Sequence, residues 1–204
     1  MKLRESGMPE EAYWETLFDV GLILDRLEID GRLRDVVEMG CGYGTFTIPV
    51  AQRISGVLTT FDFDEAMIER TRQRAAAAGA WNVAYVVRDV FADGFGGEAG
   101  SKDACLLFNI LHCEEPARLL SEAARVVRPD GFVHIIHWRF DPATPRGPSM
   151  VIRPRPEHIV EWAKEAGLLA SPGLALDLPP WHYGIRLHHK RLALPKKPTT
   201  ASHP

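Results

Sequence analysis

The residues best suited to chemistry in this chain are three glycines that alternate with other residues beside an acid. They lie in the segment V-V-E-M-G-C-G-Y-G, which contains Glu38, Gly40, Gly42 and Gly44. Glycines at a strand–helix turn let a ligand approach the main chain closely, and the amides that begin the helix attract a negative group such as a carboxylate. The segment predicts a nucleotide-like ligand, with a plain tight turn as the alternative.

The spacing of these glycines argues against a dinucleotide. The dinucleotide-binding motif is G-x-G-x-x-G, and Thr45 stands where its third glycine belongs. A pyrophosphate at the start of the helix would also meet the negative charge of Glu38. The chain further lacks a Tyr-x-x-x-Lys pair. The segment therefore favours a ligand with a cationic amino group and a sulfonium over NAD(P).

Two further acids follow the next two predicted strands. Asp62 comes after residues 57–61, about 20 residues beyond the glycine loop, where an acid can accept hydrogen bonds from ribose hydroxyl groups. Asp89 comes after residues 83–87. Ligands of open α/β sheets bind at the carboxyl ends of the strands, so we expect both acids to face the same site as Glu38. A solvated acid in a turn is the alternative for Asp62.

The elements that must hold these residues alternate between strands and helices. Short β-branched and apolar runs predict strands, and longer stretches with apolar residues at helical spacing predict helices. This alternation predicts an α/β fold with a doubly wound, mostly parallel sheet and helices on both faces. The predicted strands are 35–39, 57–61, 83–87, 104–108 and 132–138, and the predicted helices are 45–54, 64–78, 114–127 and 156–166, with Asp64 as a helix N-cap.

The two ends of the chain carry further predicted elements. Apolar residues at helical spacing predict an N-terminal helix, whose Tyr13 and Trp14 either close over the ligand or pack against the sheet. A C-terminal antiparallel hairpin is predicted around Pro179-Pro180. The predicted boundaries are about 9–28 for the helix, 174–178 and 183–189 for the hairpin strands, 1–194 for a single domain and 195–204 for a disordered tail.

Composition argues against several classes of partner. The chain has 46% hydrophobic residues and a formal net charge of -3, which favours a globular protein without the basic face that nucleic acids require. No apolar stretch approaches the ~20 residues that span a bilayer. We therefore expect a cytoplasmic protein with no nucleic acid and no membrane partner. Cys41, Cys105 and Cys113 lack the spacing of metal ligands, so no metal is expected.

These segments together resemble the class I S-adenosylmethionine (SAM)-dependent methyltransferases, particularly the group that acts on small molecules. The resemblance runs from Val36 to about Leu168 and rests on V-V-E-M-G-C-G-Y-G, F-D-F-D-E-A-M, R-D-V, F-N-I-L-H, R-V-V-R-P-D-G-F and P-E-H-I-V-E-W-A-K-E-A-G-L. It implies SAM as cofactor and methyl transfer to an O, N, C or S atom of a small-molecule acceptor. The alternatives are a module that binds SAM or S-adenosylhomocysteine (SAH) without turnover and, less favoured, an NAD(P)-dependent oxidoreductase.

The resemblance also implies which residues contact the cofactor. Glu38, Gly40 and Gly42 would hold the methionyl part of SAM, and Asp62 the ribose hydroxyl groups. Asn109 would lie under the sulfonium. The full set of cofactor-binding residues implied is Glu38, Gly40, Cys41, Gly42, Asp62, Phe63, Met67, Asp89, Val90 and Asn109, of which Phe63, Met67, Asp89 and Val90 would surround the adenine.

The substrate side of the site is less defined. His112, three residues beyond Asn109, is the candidate general base, and a capping or packing histidine is the alternative. His134 and His137 lie three apart on a strand and should point to opposite faces, which argues against a shared metal. The long connection 140–155 is expected to be functional. Four arginines could receive a substrate carboxylate or phosphate, with solvated loop charges as the favoured alternative; they are Arg139, Arg146, Arg153 and Arg155.

Overall fold

A single sheet organises the protein in the computed structural model, which describes residues 8–173 and 175–190. Its strands are β1 (Asp35–Met39), β2 (Val57–Asp62), β3 (Val83–Val87), β4 (Lys102–Phe108), β5 (Val127–Trp138), β6 (Leu168–Ala170), β7 (Leu176–Leu178) and β8 (His182–His189). Their order in the sheet is β3-β2-β1-β4-β5-β8-β6, with β7 paired to β8. Strands β1 to β5 are parallel, as the alternation of elements predicts.

Helices cover both faces of this sheet. They are α1 (Glu11–Glu15), α2 (Val20–Arg26), α3 (Thr47–Arg53), α4 (Glu65–Ala77), α5 (Val90–Asp93), α6 (Pro116–Val126) and α7 (Pro156–Glu165). Side chains alternate along a strand, so neighbouring residues of β1 enter different cores. Val36 packs with α2, α3 and α4, whereas Val37 packs with α6 and α7. The prediction of a doubly wound sheet with helices on both faces is therefore confirmed.

The C-terminal part of the sheet is antiparallel. Strand β8 runs antiparallel to β5, with Ile185 opposite Ile135, and β7 pairs antiparallel with β8. This confirms the predicted hairpin around Pro179-Pro180, a peptide bond that is cis. Leu174, which was predicted to begin the hairpin, and the predicted tail 195–204 both lie outside the described residues. The assignment of residues 1–194 to one domain stays a prediction.

The predicted N-terminal helix over residues 9–28 is wrong, because the structure divides this stretch into α1 and α2. The Thr16 hydroxyl group donates a hydrogen bond of 2.7 Å to the carbonyl of Tyr13 and closes the first helix. The Asp19 carboxylate accepts the amide of Leu22 at 3.0 Å and caps the second. Between the helices the chain turns Leu17 and Phe18 into the core. Local hydrogen bonding thus overrides the apolar periodicity.

Other differences concern the limits of elements. Strand β5 begins at Val127, five residues before its predicted start, and α6 therefore ends one residue before the predicted end. Neither α5 nor β6 was predicted, since four and three residues are too short for a periodic signal. Among the residues that the structure describes, none of the helices is long and apolar enough to cross a bilayer.

Candidate functional site

A cavity of about 430 Å³ lies at the carboxyl ends of the parallel strands. The chain reaches it from β1, β2, β3, β4 and β5, each of which ends at or beside its lining. This is the edge of an open α/β sheet where ligands bind. Every residue that the sequence singled out for the cofactor or for catalysis lines this cavity; these are Glu38, Gly40, Cys41, Gly42, Asp62, Phe63, Met67, Asp89, Val90, Asn109 and His112.

The glycine loop requires its glycines for both conformation and space. Gly40 and Gly42 have φ values of 81° and 51°, which side-chain-bearing residues adopt rarely. A Cβ atom on Gly40 would lie 3.1 Å from Ile110, and one on Gly42 would lie 3.0 Å from Met8. Thr71 fixes the loop by donating its hydroxyl to the Gly42 carbonyl at 2.9 Å. The main chain therefore forms the floor of the cavity.

Glu38 lies buried beneath this loop, with only 2% of its surface exposed. Its carboxylate accepts hydrogen bonds from the hydroxyl groups of Thr47 at 2.6 Å and Thr60 at 2.8 Å. Burial raises the pKa of Glu38 to about 7, and the negative charge of Asp62 acts in the same direction against the two hydroxyl groups. A nearby cation would favour ionisation, so this carboxyl group can respond to a positively charged ligand.

Asp62, at the end of β2, joins the glycine loop to the next turn. One carboxylate oxygen accepts the amide of Gly42 at 3.2 Å, and the other accepts the amide of Asp64 at 3.0 Å. Burial raises the pKa of Asp62, and these amides oppose that shift. Asp64 in turn caps α4 by accepting the amide of Ala66 at 2.9 Å, as the sequence predicted. Asp62 is thus a buried, oriented acceptor and not a solvated turn acid.

Asp89 is the N-cap of α5, a structural role that the sequence did not reveal. Its carboxylate caps α5 by accepting the amides of Phe91 at 2.9 Å and Ala92 at 3.3 Å. The cap places Val90 against the cavity and buries it. Phe63 and Met67 lie on the more open side, where Phe63 is 69% exposed. This part of the lining thus combines the apolar side chains of Phe63, Met67 and Val90 with the charged residues Asp64, Arg88 and Asp89.

Asn109 combines an uncommon backbone with an unsatisfied side chain. Its φ is 57°, and its amide donates to the Ile136 carbonyl at 2.8 Å. Its side-chain oxygen is buried, and within the described parts of the chain no donor reaches it. The buried hydroxyl oxygen of Thr45, which also lines the cavity, likewise has no hydrogen-bond partner among the described residues. A buried polar atom without a partner costs about 1–3 kcal/mol, so both atoms suit a ligand that brings polar groups.

His112 lines the cavity and is 6% exposed. Its ring meets that of His137 edge-on, with 5.6 Å between the centroids. His137 is fully buried, and burial holds its pKa well below the ordinary histidine value. His134 lies on the other face of β5, where its ring centroid is 6.0 Å from that of Phe132. Within the described ranges no group of His, Cys, Asp and Glu could hold a metal ion.

An aromatic wall, formed by Trp14, Phe46, Phe108 and Trp138, completes the cavity. The sequence offered a contact with the ligand as one option for Trp14 but did not indicate the other three residues. The rings of Phe46 and Phe108 are 5.0 Å apart, and those of Trp14 and Trp138 are 6.5 Å apart. Trp14 reaches the cavity, whereas Tyr13 is exposed outside it. The four residues come from separate elements, so no local pattern could reveal that they meet.

Arg139 and the three arginines of the long connection have four different environments. Arg139 pairs with Asp177, and the guanidinium of Arg155 lies 3.6 Å from the centroid of the Phe140 ring. Arg146 lines the cavity. Arg153 is buried and donates to groups of the connection and to the carbonyl of Arg139 beside it, so neither the expected anion contact nor a solvated charge describes it.

Comparison with known proteins shows that the chain is similar in sequence to methyltransferases. Residues 36–131, which include every residue predicted for the site, match the family model of a methyltransferase domain. One curated relative is phosphoethanolamine N-methyltransferase 1 of Caenorhabditis elegans, 34% identical over 116 residues. The match covers 55% of this chain and 23% of that protein, so the chain spans less than a quarter of the relative's length.

Solved structures share the fold at lower identity. A SAM-dependent methyltransferase from Aquifex aeolicus has a TM-score of 0.75 at 18% identity, over 87% of this chain and 93% of that one. The trans-methyltransferase CalH, solved with SAH, has a TM-score of 0.60 at 20% identity, over 82% of this chain and 54% of that one. At such identities the likeness concerns the fold.

Proposed function

We propose that this chain, which has the fold of the class I SAM-dependent methyltransferases, transfers a methyl group from SAM to an O, N, C or S atom of a small molecule. The observation that carries the proposal is the buried acid Glu38 under a glycine floor, facing the same cavity as Asp62 and the unsatisfied oxygen of Asn109. The match of residues 36–131 to a methyltransferase domain supports it.

Each side of the cavity receives a part of the cofactor in this proposal. Glu38 and the loop Gly40-Cys41-Gly42 hold the methionyl part, since a buried carboxylate favours its cationic amino group. Asp62, oriented by two amides, accepts the ribose hydroxyl groups. The adenine would contact the apolar side chains of Phe63, Met67 and Val90, with Asp89 as the polar partner.

The chemistry needs orientation more than activation. When bound, SAM would supply a methyl group on a sulfonium; the acceptor atom would bond to the methyl carbon as the carbon–sulfur bond breaks and SAH leaves. Asn109 would contact the part of SAM that carries the sulfonium, and the aromatic wall would orient the acceptor. Orientation of this kind contributes roughly 7–11 kcal/mol in favourable cases. His112 takes the acceptor's proton where the acceptor carries one of high pKa.

Calorimetry with SAM, SAH and NADH tests the cofactor assignment. We expect micromolar binding of SAM and SAH, no binding of NADH, and a loss of at least about tenfold in affinity in Asp62→Ala. Asp130→Ala removes an exposed acid of β5 that is outside the cavity lining and serves as the matched control. Binding of NADH alone would contradict the proposal and favour the oxidoreductase.

Turnover is tested with an isotope-labelled methyl group. The name of the curated relative makes phosphoethanolamine the first acceptor to try, followed by small aromatic acids, phenols and amines. Labelled product that forms with wild type and not with Asp62→Ala would support the proposal that the chain is an active methyltransferase. SAH binding without product from any acceptor would instead favour the module that binds SAM or SAH without turnover.

A further inference from the structure

We infer that the acceptor carries an anionic group, a carboxylate or a phosphate, and that Arg146 binds this group from a loop that Arg153 holds in place. The inference rests on the proposed function, because an acceptor exists only if methyl transfer occurs. It assigns Arg146 to substrate binding and Arg153 to a positioning role.

The charges of the cavity lining are divided between two sides. Its carboxylates follow the ends of β1, β2 and β3, and Arg88 lies in the same turn as Asp89. On the side that follows β4 and β5, the described lining is aromatic or neutral apart from one guanidinium, that of Arg146. An anionic acceptor would be repelled from the acids and drawn toward Arg146.

The loop that carries Arg146 is fixed by a buried cation. Arg153 is 6% exposed, and its guanidinium donates to the carbonyls of Pro148 at 2.7 Å and Arg146 at 3.3 Å. It also donates to the carbonyls of Arg139 at 3.0 Å and Asp141 at 3.2 Å. Each of the three guanidinium nitrogens of Arg153 thus donates a hydrogen bond to a main-chain carbonyl. Its hydrogen bonds hold the main chain on both sides of Gly147.

Gly147 brings this loop directly against the aromatic wall. Its φ is 119°, a conformation that side-chain-bearing residues rarely adopt. A Cβ atom there would lie 2.7 Å from the Arg153 guanidinium and 2.8 Å from the Trp138 ring. Close packing therefore fixes the position of the Arg146 backbone relative to Trp138. A fixed backbone reduces the entropy that an arginine contact loses on binding.

The wall defines the remainder of the acceptor. Trp138 and Phe108 line the same side of the cavity as Arg146, and the ring of Trp14 meets that of Trp138 edge-on. Aromatic walls bind flat apolar groups, and guanidinium groups bind carboxylate and phosphate in bidentate geometry. The acceptor class is therefore a small aromatic or otherwise apolar molecule with one anionic group. Benzoate is the simplest probe of this class, and benzamide is its uncharged counterpart.

The test measures benzoate and benzamide binding to protein saturated with SAH. Saturation fills the position of the cofactor's own carboxylate, so the probe reports on the acceptor side alone. We expect wild type to bind benzoate about tenfold more tightly than benzamide, since a charge-assisted hydrogen bond strengthens only the former. Arg146→Gln should abolish this preference with the SAH affinity unchanged, whereas Arg155→Gln, which removes a cation of the same connection outside the lining, should keep it.

Arg153→Lys tests the positioning role. Lysine keeps the charge but cannot donate to several carbonyls at once, so we expect a reduced benzoate preference at unchanged SAH affinity. Equal binding of benzoate and benzamide by wild type overturns the inference. So does an Arg146→Gln variant that loses SAH affinity, because Arg146 would then serve the cofactor's carboxylate. Absence of SAH binding in wild type would instead overturn the proposed function itself.

Discussion

The hydroxyl group of Thr60 on β2 donates a 2.8 Å hydrogen bond to the carboxylate of Glu38, which lies opposite it on β1. Both side chains are buried, with Thr60 fully inaccessible. The pair holds the Glu38 carboxyl group beneath the glycine loop whether it is ionised or protonated. Glu38 is therefore a titratable group fixed in position, and its charge can be tested separately from its place in the fold.

Glu38→Gln should change how stability depends on pH. The pKa of Glu38 is raised from 4.5 to about 7, so the folded state binds this proton more tightly than the unfolded state. Its contribution is full below pH 4.5 and is lost as pH rises through 7, a loss of about 3 kcal/mol in total. We expect the free energy of unfolding of Glu38→Gln, measured in urea, to lack this decline.

Glu98→Gln, at an exposed glutamate, is the control for that comparison and should retain the decline. Parallel curves for wild type and Glu38→Gln between pH 5 and 8 would show that Glu38 has an ordinary affinity for its proton. That outcome would also remove the reason for a cation preference at the loop.

Binding of SAH should release protons near neutral pH. The cationic amino group of SAH, placed beside Glu38, lowers the pKa of that carboxyl group from about 7 and expels its proton. Calorimetry at pH 6.5 in buffers of different ionisation enthalpy measures the number released. We expect about three quarters of a proton in wild type and close to none in Glu38→Gln. Equal release in both proteins would assign the proton to another group.

Substitutions of Asn109 should separate backbone strain from ligand binding. Asn109→Gly suits the φ of 57° and should leave thermal stability near that of wild type, whereas Asn109→Ala should be about 1 kcal/mol less stable. Both variants remove the unsatisfied side-chain oxygen and should weaken SAM binding. SAM affinity equal to wild type in Asn109→Gly would exclude a cofactor contact by this side chain.

His182→Phe should reduce the acid sensitivity of the fold. His182 is buried between the rings of Phe18 and Trp138, and burial lowers its pKa from 6.5 to about 3. Below pH 6.5 the unfolded chain binds a proton that the folded chain refuses, so stability is lost as pH falls. Removal of this histidine should lower the slope between pH 6 and 4 by about 1.4 kcal/mol per pH unit.

Thermal or urea unfolding at several pH values provides this slope, and His158→Phe, at an exposed histidine, is the matched control. A phenylalanine at position 182 preserves the ring contacts with Phe18 and Trp138. If the slope is the same in His182→Phe and wild type, His182 of the wild type takes up its proton in the folded state as readily as in the unfolded state.

Much of this architecture could be predicted from the sequence because its signals are local. Buried parallel strands such as Asp35–Met39 appear as short apolar runs, and the glycines that follow need conformations few other residues adopt. Asp64 and its helix are likewise adjacent in the chain. The carboxyl ends of the strands then bring Glu38, Asp62 and Asp89 to one cavity through topology alone.

The parts that escaped prediction depend on contacts between distant residues or on competing local bonds. The aromatic wall joins Trp14 to Trp138, which only the folded sheet brings together. Arg153 and Arg155 look alike in the sequence, yet one is buried among carbonyls and the other lies over Phe140. The break between α1 and α2 follows from side-chain hydrogen bonds of Thr16 and Asp19 that periodicity does not register.

Two segments beside the cavity, α1 and the loop that carries Arg146, are held by interactions of different kinds. Helix α1, which carries Trp14, has no buried residue and is tied to α4 by ion pairs of Glu11 with Arg70 at 2.8 Å and Arg74 at 3.3 Å. The segment that carries Arg146 and Gly147 is instead tied by the buried guanidinium of Arg153. Mobile ions screen exposed charge pairs and hardly reach buried ones. Raised ionic strength should therefore weaken the attachment of α1 to α4 and leave the hydrogen bonds of Arg153 nearly unchanged, so the position of Trp14 should depend on salt more than that of Arg146.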